Sequence, residues 1–258
     1  AAYNAGNLSG GEVHGMIVSR DVYVVNYMQE LDLLANRIAT GEVEITIPAG
    51  SVLPEGTVLN GVTYTGANRI LTSDLTVKVN GINQLHQLGY HFTGVGGEFF
   101  TAAGGGTITA ANFQLNPLIA DNPNLIATSL KTVNNGSGEE VVKGNNTLAL
   151  LMAGLKDGKF NFATAPSVSS EATVDDYFRS VIGQLGVQTK EAIRQAENSR
   201  ILVEQVDFRR QSVSGVSLDE EMANLIRFQH AYNAAARTVT AVDEMLDRVI
   251  NGMGIVGR

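Results

Sequence analysis

Histidines, carboxylates and glycine-rich turns are the residues of this chain that could carry chemistry. His86 and His91 are five residues apart across Gly89, a spacing that does not place both rings on one helix face. The HExxH pattern of zinc proteases is absent, and no G-x-S-x-G turn presents a serine nucleophile. Asp219–Glu221 suit the start of a helix better than an acid–base pair, because the helix dipole favours negative charge there. We therefore predict no catalytic residue, and we expect all four histidines to be satisfied or exposed.

The glycine-rich and acidic loops also lack the spacing of known ligand sites. Gly94–Gly97 and Gly104–Gly106 are not followed by the Lys-Ser/Thr of a phosphate-binding loop, so we interpret them as turns. Asn134–Glu140 has the wrong ligand order for an EF-hand and is predicted to be a surface loop. The absence of cysteine excludes thiolate catalysis and cysteine-based zinc sites. We expect no metal, no cofactor and no enzymatic activity.

Charge and hydrophobicity argue against nucleic acid and membrane as partners. The 258 residues carry a net charge of −8, which disfavours a nucleic-acid role, since phosphate binding needs a basic surface. No run of 18 apolar residues is present, so no membrane span is predicted. The chain shows no secretory signal, and it begins with Ala1-Ala2 rather than Met, which indicates a piece of a longer protein.

A long terminal helix is the strongest structural signal. Ser217–Asn251 contains neither Gly nor Pro, Ser217 and Glu220 form a capping box, and Gly252 marks the end. Apolar residues recur at heptad spacing and pass to a neighbouring register where Gln229 and Asp243 interrupt the first. Such a helix, roughly 50 Å long, exceeds a compact core. We expect its apolar side to pack between subunits, with an intramolecular bundle core as the alternative.

The remaining elements predict a mainly α fold with a small β part. We expect a helix from Ser19 to Thr40, a β element over residues 41–78 and a helix over residues 79–88. Asn60-Gly61 predicts a hairpin inside the β element. A short helix is expected to start near Asn145. A long helix capped by Thr173 is expected to continue towards Val206, before a break at residues 212–215.

Several motifs resemble those of a known family. Ser214–Glu221, Asn224–Arg237 and Val242–Leu246 are similar to the C-terminal helix of flagellar axial proteins. One family of flagellar axial proteins, the hook-associated protein 1 family, forms the hook–filament junction. Its passages resemble Gly11–Ala39 and Val79–Phe100 of this chain. Residues 113–129 (FQLNPLIADNPNLIATS) and 144–157 (GNNTLALLMAGLKD) carry the same resemblance. The family pattern also has an N-terminal helix, which is missing here, and residues 41–78 interrupt it.

The resemblance implies a fold and a set of partners. The expected fold is α+β: an elongated, flagellin-like helical bundle with an inserted β element. The expected domains are a helical body (residues 1–40 and 79–215), an outward-facing β insertion (residues 41–78) and an inner-core helix (residues 216–258). The implied partners are like subunits in a ring of eleven copies, hook protein, hook-associated protein 3 or filament-side subunits, and an export chaperone. The implied location is the extracellular flagellum, reached without a cleaved signal peptide.

The predicted subunit contacts lie on the terminal helix, where Ala234–Ala236 would permit close helix approach. They are Leu225, Phe228, Tyr232, Ala235, Val239, Val242, Leu246 and Val249. Three alternatives stay open. The chain could be another flagellar axial protein, such as flagellin, hook protein or hook-associated protein 3. It could be a surface binding protein acting through residues 41–78, or an enzyme embedded in a flagellar scaffold.

Overall fold

The computed structural model describes residues 10–136, 138–163 and 171–252. The chain divides into two units, Ala1–Gln188 and Thr189–Arg258. This boundary lies inside a long helix, whereas we expected a division at the break near residue 215. The reason is that Val181 is the last buried residue of that helix, so its later turns contribute nothing to the core of the first unit.

The described residues form a mainly α structure with a small β part, which confirms the predicted fold class. The helices are α1 (Gly11–Val18), α2 (Val25–Thr40), α3 (Gly81–Gln87), α4 (Pro117–Asp121), α5 (Thr147–Gly154), α6 (Val174–Ser214) and α7 (Leu218–Gly252). The strands are β1 (Glu42–Ile47), β2 (Thr57–Leu59), β3 (Val62–Tyr64), β4 (Leu75–Asn80), β5 (Tyr90–His91), β6 (Gly94–Val95), β7 (Phe100–Ala102), β8 (Phe113–Leu115), β9 (Thr132–Asn134), β10 (Glu139–Val141), β11 (Phe160–Asn161) and β12 (Glu171–Ala172). All six pairs of strands are antiparallel: β1–β4, β2–β3, β5–β6, β7–β8, β9–β10 and β11–β12.

The first helical region is longer than predicted. A π-helical segment, Ser19–Val24, joins α1 to α2, so the chain is helical from Gly11 to Thr40. The predicted start at Ser19 is wrong. Ser19 has helical dihedrals and donates its backbone N–H to carbonyls of the preceding turn, whereas a capping residue lies outside the helical region. The predicted end is confirmed, because Gly41 adopts an extended conformation after bonding to the Arg37 carbonyl.

Residues 42–80 form the predicted β element. In β1 and β4 alternate side chains are buried, among them Val43, Ile45 and Val77, while Glu42 and Lys78 on the other face form an exposed ion pair. The hairpin predicted at Asn60-Gly61 is confirmed. Strands β2 and β3 pair across it, and both turn residues have the positive φ that a type I′ turn requires.

The β element shares the core of the first unit. Its buried side chains belong to one hydrophobic cluster with residues of the helical body, including Leu85, Leu148 and Tyr177. The Val52 backbone N–H donates to the Leu130 carbonyl at 2.7 Å and joins the segment to the body. The hypothesis that residues 41–78 face outward is therefore contradicted. The physical reason is that strands with one apolar face must cover that face, and the body supplies the cover.

Arg69 holds the β element against the rest of the unit. Its buried guanidinium donates to the Leu53 carbonyl at 2.6 Å, to the Tyr90 hydroxyl at 2.8 Å and to both carboxylate oxygens of Glu139 at 2.8 Å. The bonds to Glu139 raise the pKa of Arg69 above its ordinary value, so the side chain stays charged. A buried arginine needs such partners, because an uncompensated charge in the core is strongly destabilising.

The start of α6 is fixed by a cap and by a buried tyrosine. The Asp176 backbone N–H donates to Thr173 Oγ1 at 3.1 Å, which confirms the predicted cap. One turn later the Tyr177 ring stacks on Phe162 with centroids 3.9 Å apart, and its hydroxyl donates to the Glu30 carboxylate. Burial and this hydrogen bond raise the pKa of Tyr177. The contact joins α6 to α2 within the first unit.

The middle of the first unit is held by side chains that bond to the backbone. Helix α3 starts at Gly81 and not at the predicted Val79, because Val79 belongs to strand β4 and pairs with β1. Asn83 accepts from the backbone N–H groups of Phe99 and Phe100 and donates to the Phe100 carbonyl. These hydrogen bonds fix the backbone of the loop that leads into β7.

Candidate assembly surface

The second unit has no core of its own. None of its described residues, 189–252, is buried, although α7 and the distal part of α6 carry many large apolar side chains. Helix α7 is continuous over 35 residues from Leu218, next to the predicted cap, and Asp219–Glu221 occupy its first turn. Apolar surface on this scale indicates an interaction site, because soluble monomers rarely leave such a continuous area exposed.

All eight predicted contact residues lie on α7 at alternating intervals of three and four residues. This is the spacing of the two core positions in a coiled-coil heptad, so the side chains form one continuous stripe. Every one of them is exposed, with Phe228 at 71% and Tyr232 at 76% of full accessibility. The structure brings the predicted residues together on one face, and that face has no partner within the described part of the second unit.

The surface flanking the stripe is almost free of charge. Of the nine flanking residues, only Asp243 is charged. They are Met222, Asn224, Gln229, Ala231, Ala236, Thr238, Asp243, Met245 and Ile250. In two-stranded coiled coils these positions often carry Glu and Lys, which form salt bridges between the two helices and set the choice of partner. A broad uncharged face can instead accept more than one neighbouring helix. The sequence prediction omitted Met245 from this face, although its flanking position in the heptad could have revealed it.

Two hydroxyl groups near the stripe bond to carbonyls of α7 itself. The hydroxyl of Thr238 donates to the Ala235 carbonyl at 2.7 Å, and that of Thr240 donates to the Ala236 carbonyl at 2.9 Å. A hydroxyl bonded to its own helix can be covered by a neighbour at little cost, because burial leaves no donor unpaired. Ala234–Ala236 lie on the same helix, and close approach of another helix there stays a prediction.

The distal part of α6 has a different surface. Ion pairs one turn apart follow each other along it, as in Glu191–Arg194 at 2.6 Å and Glu197–Arg200 at 2.6 Å. The hydrogen bond from Arg194 lowers the pKa of Glu191. The described length of α7 contains no ion pair. Pairs of this kind support an exposed helix in water, whereas an apolar stripe needs a partner.

The other candidate residues do not converge on a reactive site. His86 lies on α3 with both ring nitrogens bonded to backbone groups, and His91 lies on β5. Asn134 and Glu139 pair across β9–β10, so the predicted surface loop includes a hairpin. Among the described residues no group of three or more His, Cys, Asp or Glu could hold a metal ion. No helix in the described part of the chain is long and apolar enough to cross a membrane.

Comparison with known proteins identifies relatives of this chain. Residues 210–252, which include all of α7, match the family model described as the C-terminal domain of the flagellar basal body rod proteins FlgEFG. The flagellar hook-associated protein 1 of Bacillus subtilis is 40% identical over 177 residues, which cover 68% of this chain and 33% of that protein. The proteins of the same name from Escherichia coli and Salmonella typhimurium are 30% and 31% identical over 34% and 33% of this chain, and over 16% and 15% of their own lengths.

The matched residues make up a minor share of each relative. The chain spans about one third of the length of the Bacillus subtilis relative. No solved structure matches it significantly. These relatives belong to the family that the motifs in the body and the terminal helix resemble, so the resemblance is confirmed. The chain is a relative of flagellar hook-associated protein 1, with a last helix of the type shared by flagellar rod proteins.

Proposed function

We propose that this chain is a structural part of the bacterial flagellum that joins the hook to the filament by packing α7 against α7 helices of other copies. The observation that carries the proposal is the exposed stripe of eight residues from Leu225 to Val249, flanked by almost uncharged positions. Burying a large apolar side chain contributes about 1.5–3 kcal/mol. Seven such side chains along one face offer ample free energy for association.

The arrangement favours repeated copies in a ring or tube over a closed pair. A broad face lets each α7 contact a helix on either side, and contacts between different faces of like subunits continue around a ring. We propose a ring of like subunits, with hook protein on one side and hook-associated protein 3 or other filament-side subunits on the other. Before assembly, an export chaperone covers the same stripe. The chain reaches its extracellular location without a cleaved signal peptide.

Another flagellar axial protein is the second candidate. The domain matched by residues 210–252 is described for rod proteins, so α7 alone does not distinguish a junction protein from a rod or hook subunit. The relatives named hook-associated protein 1 favour the junction, because the Bacillus subtilis match extends well beyond α7. A binding role for residues 41–78 requires that segment to face outward. Much of it lies in the core of the first unit, which argues against that role.

Charged substitutions on two faces of α7 test the proposal. Tyr232→Asp with Leu246→Asp would place carboxylates on the stripe. We expect the self-association constant, measured by sedimentation of the purified chain, to fall at least tenfold, since burying one uncompensated charge costs more than about 1.4 kcal/mol. The matched control is Asn233→Asp with Thr240→Asp, which adds the same charge outside the stripe and its flanks and should leave association unchanged.

A second measurement separates the junction from other flagellar roles. The same two pairs of substitutions would be made in the corresponding longer protein and added to hook–basal bodies that lack the junction protein. Filament attachment should be restored by the unaltered protein and by the control pair, but not by the stripe pair. Equal association and equal attachment for both pairs would refute packing through α7, and failure of the unaltered protein to restore attachment would favour the second candidate.

A further inference from the structure

His86 lies at a point where three separate chain segments meet in the first unit. Its side chain is fully buried on α3. Nδ1 lies 2.7 Å from the Gly97 carbonyl oxygen, and Nε2 accepts the backbone N–H of Ala127 at 2.8 Å. The Phe99 ring covers the imidazole in an edge-on contact with centroids 5.2 Å apart. The imidazole therefore connects α3, the loop before β7 and the segment after residue 125.

This geometry specifies one protonation state. Nε2 must be unprotonated to accept from Ala127, and Nδ1 must carry the proton that it donates to Gly97. A second proton on Nε2 would point at the N–H of Ala127, so the bond would become a repulsion between two donors. None of the described partners of the ring is an anion, so the charge of a buried imidazolium would be uncompensated. Acid therefore opposes this contact directly.

The surroundings of His86 reinforce the neutral form. Burial lowers the pKa of His86, while the hydrogen bond to Gly97 partly opposes that shift. Electrostatic interaction with His91 lowers the pKa of His86 further. Glu98 adjoins Gly97 but is exposed, and residues 126–129 (IATS) bring no titratable side chain. Because the folded-state pKa is lowered, the stabilisation is complete above pH 6.5 and is lost as pH falls from about 6.5 to the lowered value.

The same helix carries a contact that does not respond to pH in this range. Asn83, one turn before His86, bonds to the backbone of Phe99 and Phe100 with a side chain that does not titrate. Besides the backbone bonds from Gly96 to Gly89 and from Asn116 to Phe99, the side chains of Asn83 and His86 hold the loop that leads into β7. Of these contacts, acid weakens the one made by His86. The segment around Ala127 has its bond to His86 in addition to the bonds of Thr128 and Ser129 to the Tyr90 carbonyl.

We propose that His86 is an acid-sensitive latch that releases residues 126–127 and the loop at Gly96–Gly97 from α3, while Asn83 keeps β7 attached. The neutral ring closes the latch, and protonation of Nε2 opens it. Opening is local, because Leu85 and Leu88, which flank His86, belong to the hydrophobic cluster and hold α3 independently of the imidazole. The inference concerns the first unit alone and is independent of how α7 assembles.

Hydrogen exchange at Ala127 tests the latch in the full chain. The opening equilibrium of this amide, corrected for the intrinsic effect of pH on exchange, should rise by up to about tenfold per pH unit as pH falls below 6.5. The amides of Phe99 and Phe100, which bond to Asn83, should change much less. His86→Gln, whose side chain does not titrate, should remove the pH dependence. His91→Gln should retain it and serves as the matched control.

Direct observation of the imidazole keeps the proposal testable if His86→Gln does not fold. Nitrogen-15 spectra of the unaltered chain should show Nδ1 protonated and Nε2 unprotonated at pH 7.5, with titration below pH 6.5. The proposal is overturned if His86 titrates at or above pH 6.5. It is also overturned if opening at Ala127 does not change between pH 7.5 and pH 5, or changes equally in His86→Gln.

Discussion

Gly96 and Gly97 are neighbours in the sequence, and their surroundings give them opposite tolerance for a side chain. A Cβ at Gly96 would lie 2.1 Å from the His86 carbonyl oxygen, whereas nothing lies within 4 Å of one at Gly97. Neither has the positive φ that favours glycine, so the difference comes from packing alone. The backbone of Gly96 is in place because its N–H donates to the Gly89 carbonyl at 2.9 Å.

Alanine at these two positions should therefore have different effects. We expect Gly96→Ala to lower the free energy of unfolding of the first unit by about 1–3 kcal/mol, because the backbone of α3 must move to admit the methyl group. Gly97→Ala should change it by less than about 0.5 kcal/mol. Urea denaturation followed by near-ultraviolet circular dichroism would measure both. Equal losses would mean that the close approach of Gly96 to α3 is absent in solution.

At the scale of elements, α6 and α7 differ in what stabilises them. The distal part of α6 carries ion pairs along its surface in addition to exposed apolar side chains, whereas α7 carries an exposed apolar stripe and no ion pair over its described length. Isolated helices gain only about 0.2–0.5 kcal/mol from each such pair, so neither helix is strongly stable by itself. The stripe gives α7 far more to gain from a partner.

Amide exchange should follow this difference. In a chain shown to be monomeric by sedimentation, we expect α7 to be partly unfolded and its amides between Ala223 and Ile250 to exchange rapidly. Assembly should slow that exchange, because packing of the stripe supplies the missing stabilisation. The distal α6 amides, which lie outside the stripe, serve as the internal reference and should change less. Strong protection of Ala223–Ile250 in the monomer would contradict dependence on partners.

At the scale of the whole molecule, two segments differ in how much they stabilise the first unit: residues 42–80 contribute to its core, and residues 218–252 do not. The β element contributes a large share of its hydrophobic cluster, including Ile47, Leu53 and Val79. Helix α7 contributes no buried residue over its described length. Each fully buried apolar side chain stabilises the folded state by about 1.5–3 kcal/mol, and a whole domain has only about 5–15 kcal/mol in total.

Two deletions test this contrast. Replacing residues 42–80 with a short Gly-Ser linker between Gly41 and Gly81 should prevent cooperative folding. The linker itself is feasible, because Glu42 and Asn80 are paired neighbours in β1 and β4. Ending the chain after Gly215 should leave the unfolding midpoint of the first unit unchanged. Thermal and urea unfolding would report both. A cooperative transition after loss of residues 42–80 would show that the helical body has a sufficient core without the β element.

The features that the sequence determined by itself are local ones. The hairpin at Asn60-Gly61, the Thr173 cap, the end of α2 at Gly41 and the stripe on α7 each depend on residues a few positions apart. Turn geometry, capping and helical periodicity act over that range. The sequence predicts a helix start at Ser19, because a serine side chain suits that position, yet the helix continues through it. That prediction failed because the preceding residues are compatible with a helix.

Only the tertiary structure decided what depends on residues far apart in the chain. The contact between Arg69 and Glu139 joins residues 70 positions apart, and the contact between His86 and Ala127 joins residues 41 positions apart. No local sequence pattern predicts either contact. The inward packing of residues 42–80 is of the same kind, since alternating strands require a cover but do not specify which segment provides it. For α7 the sequence predicted the face and the fold left it exposed, because the first unit completes its core without that helix.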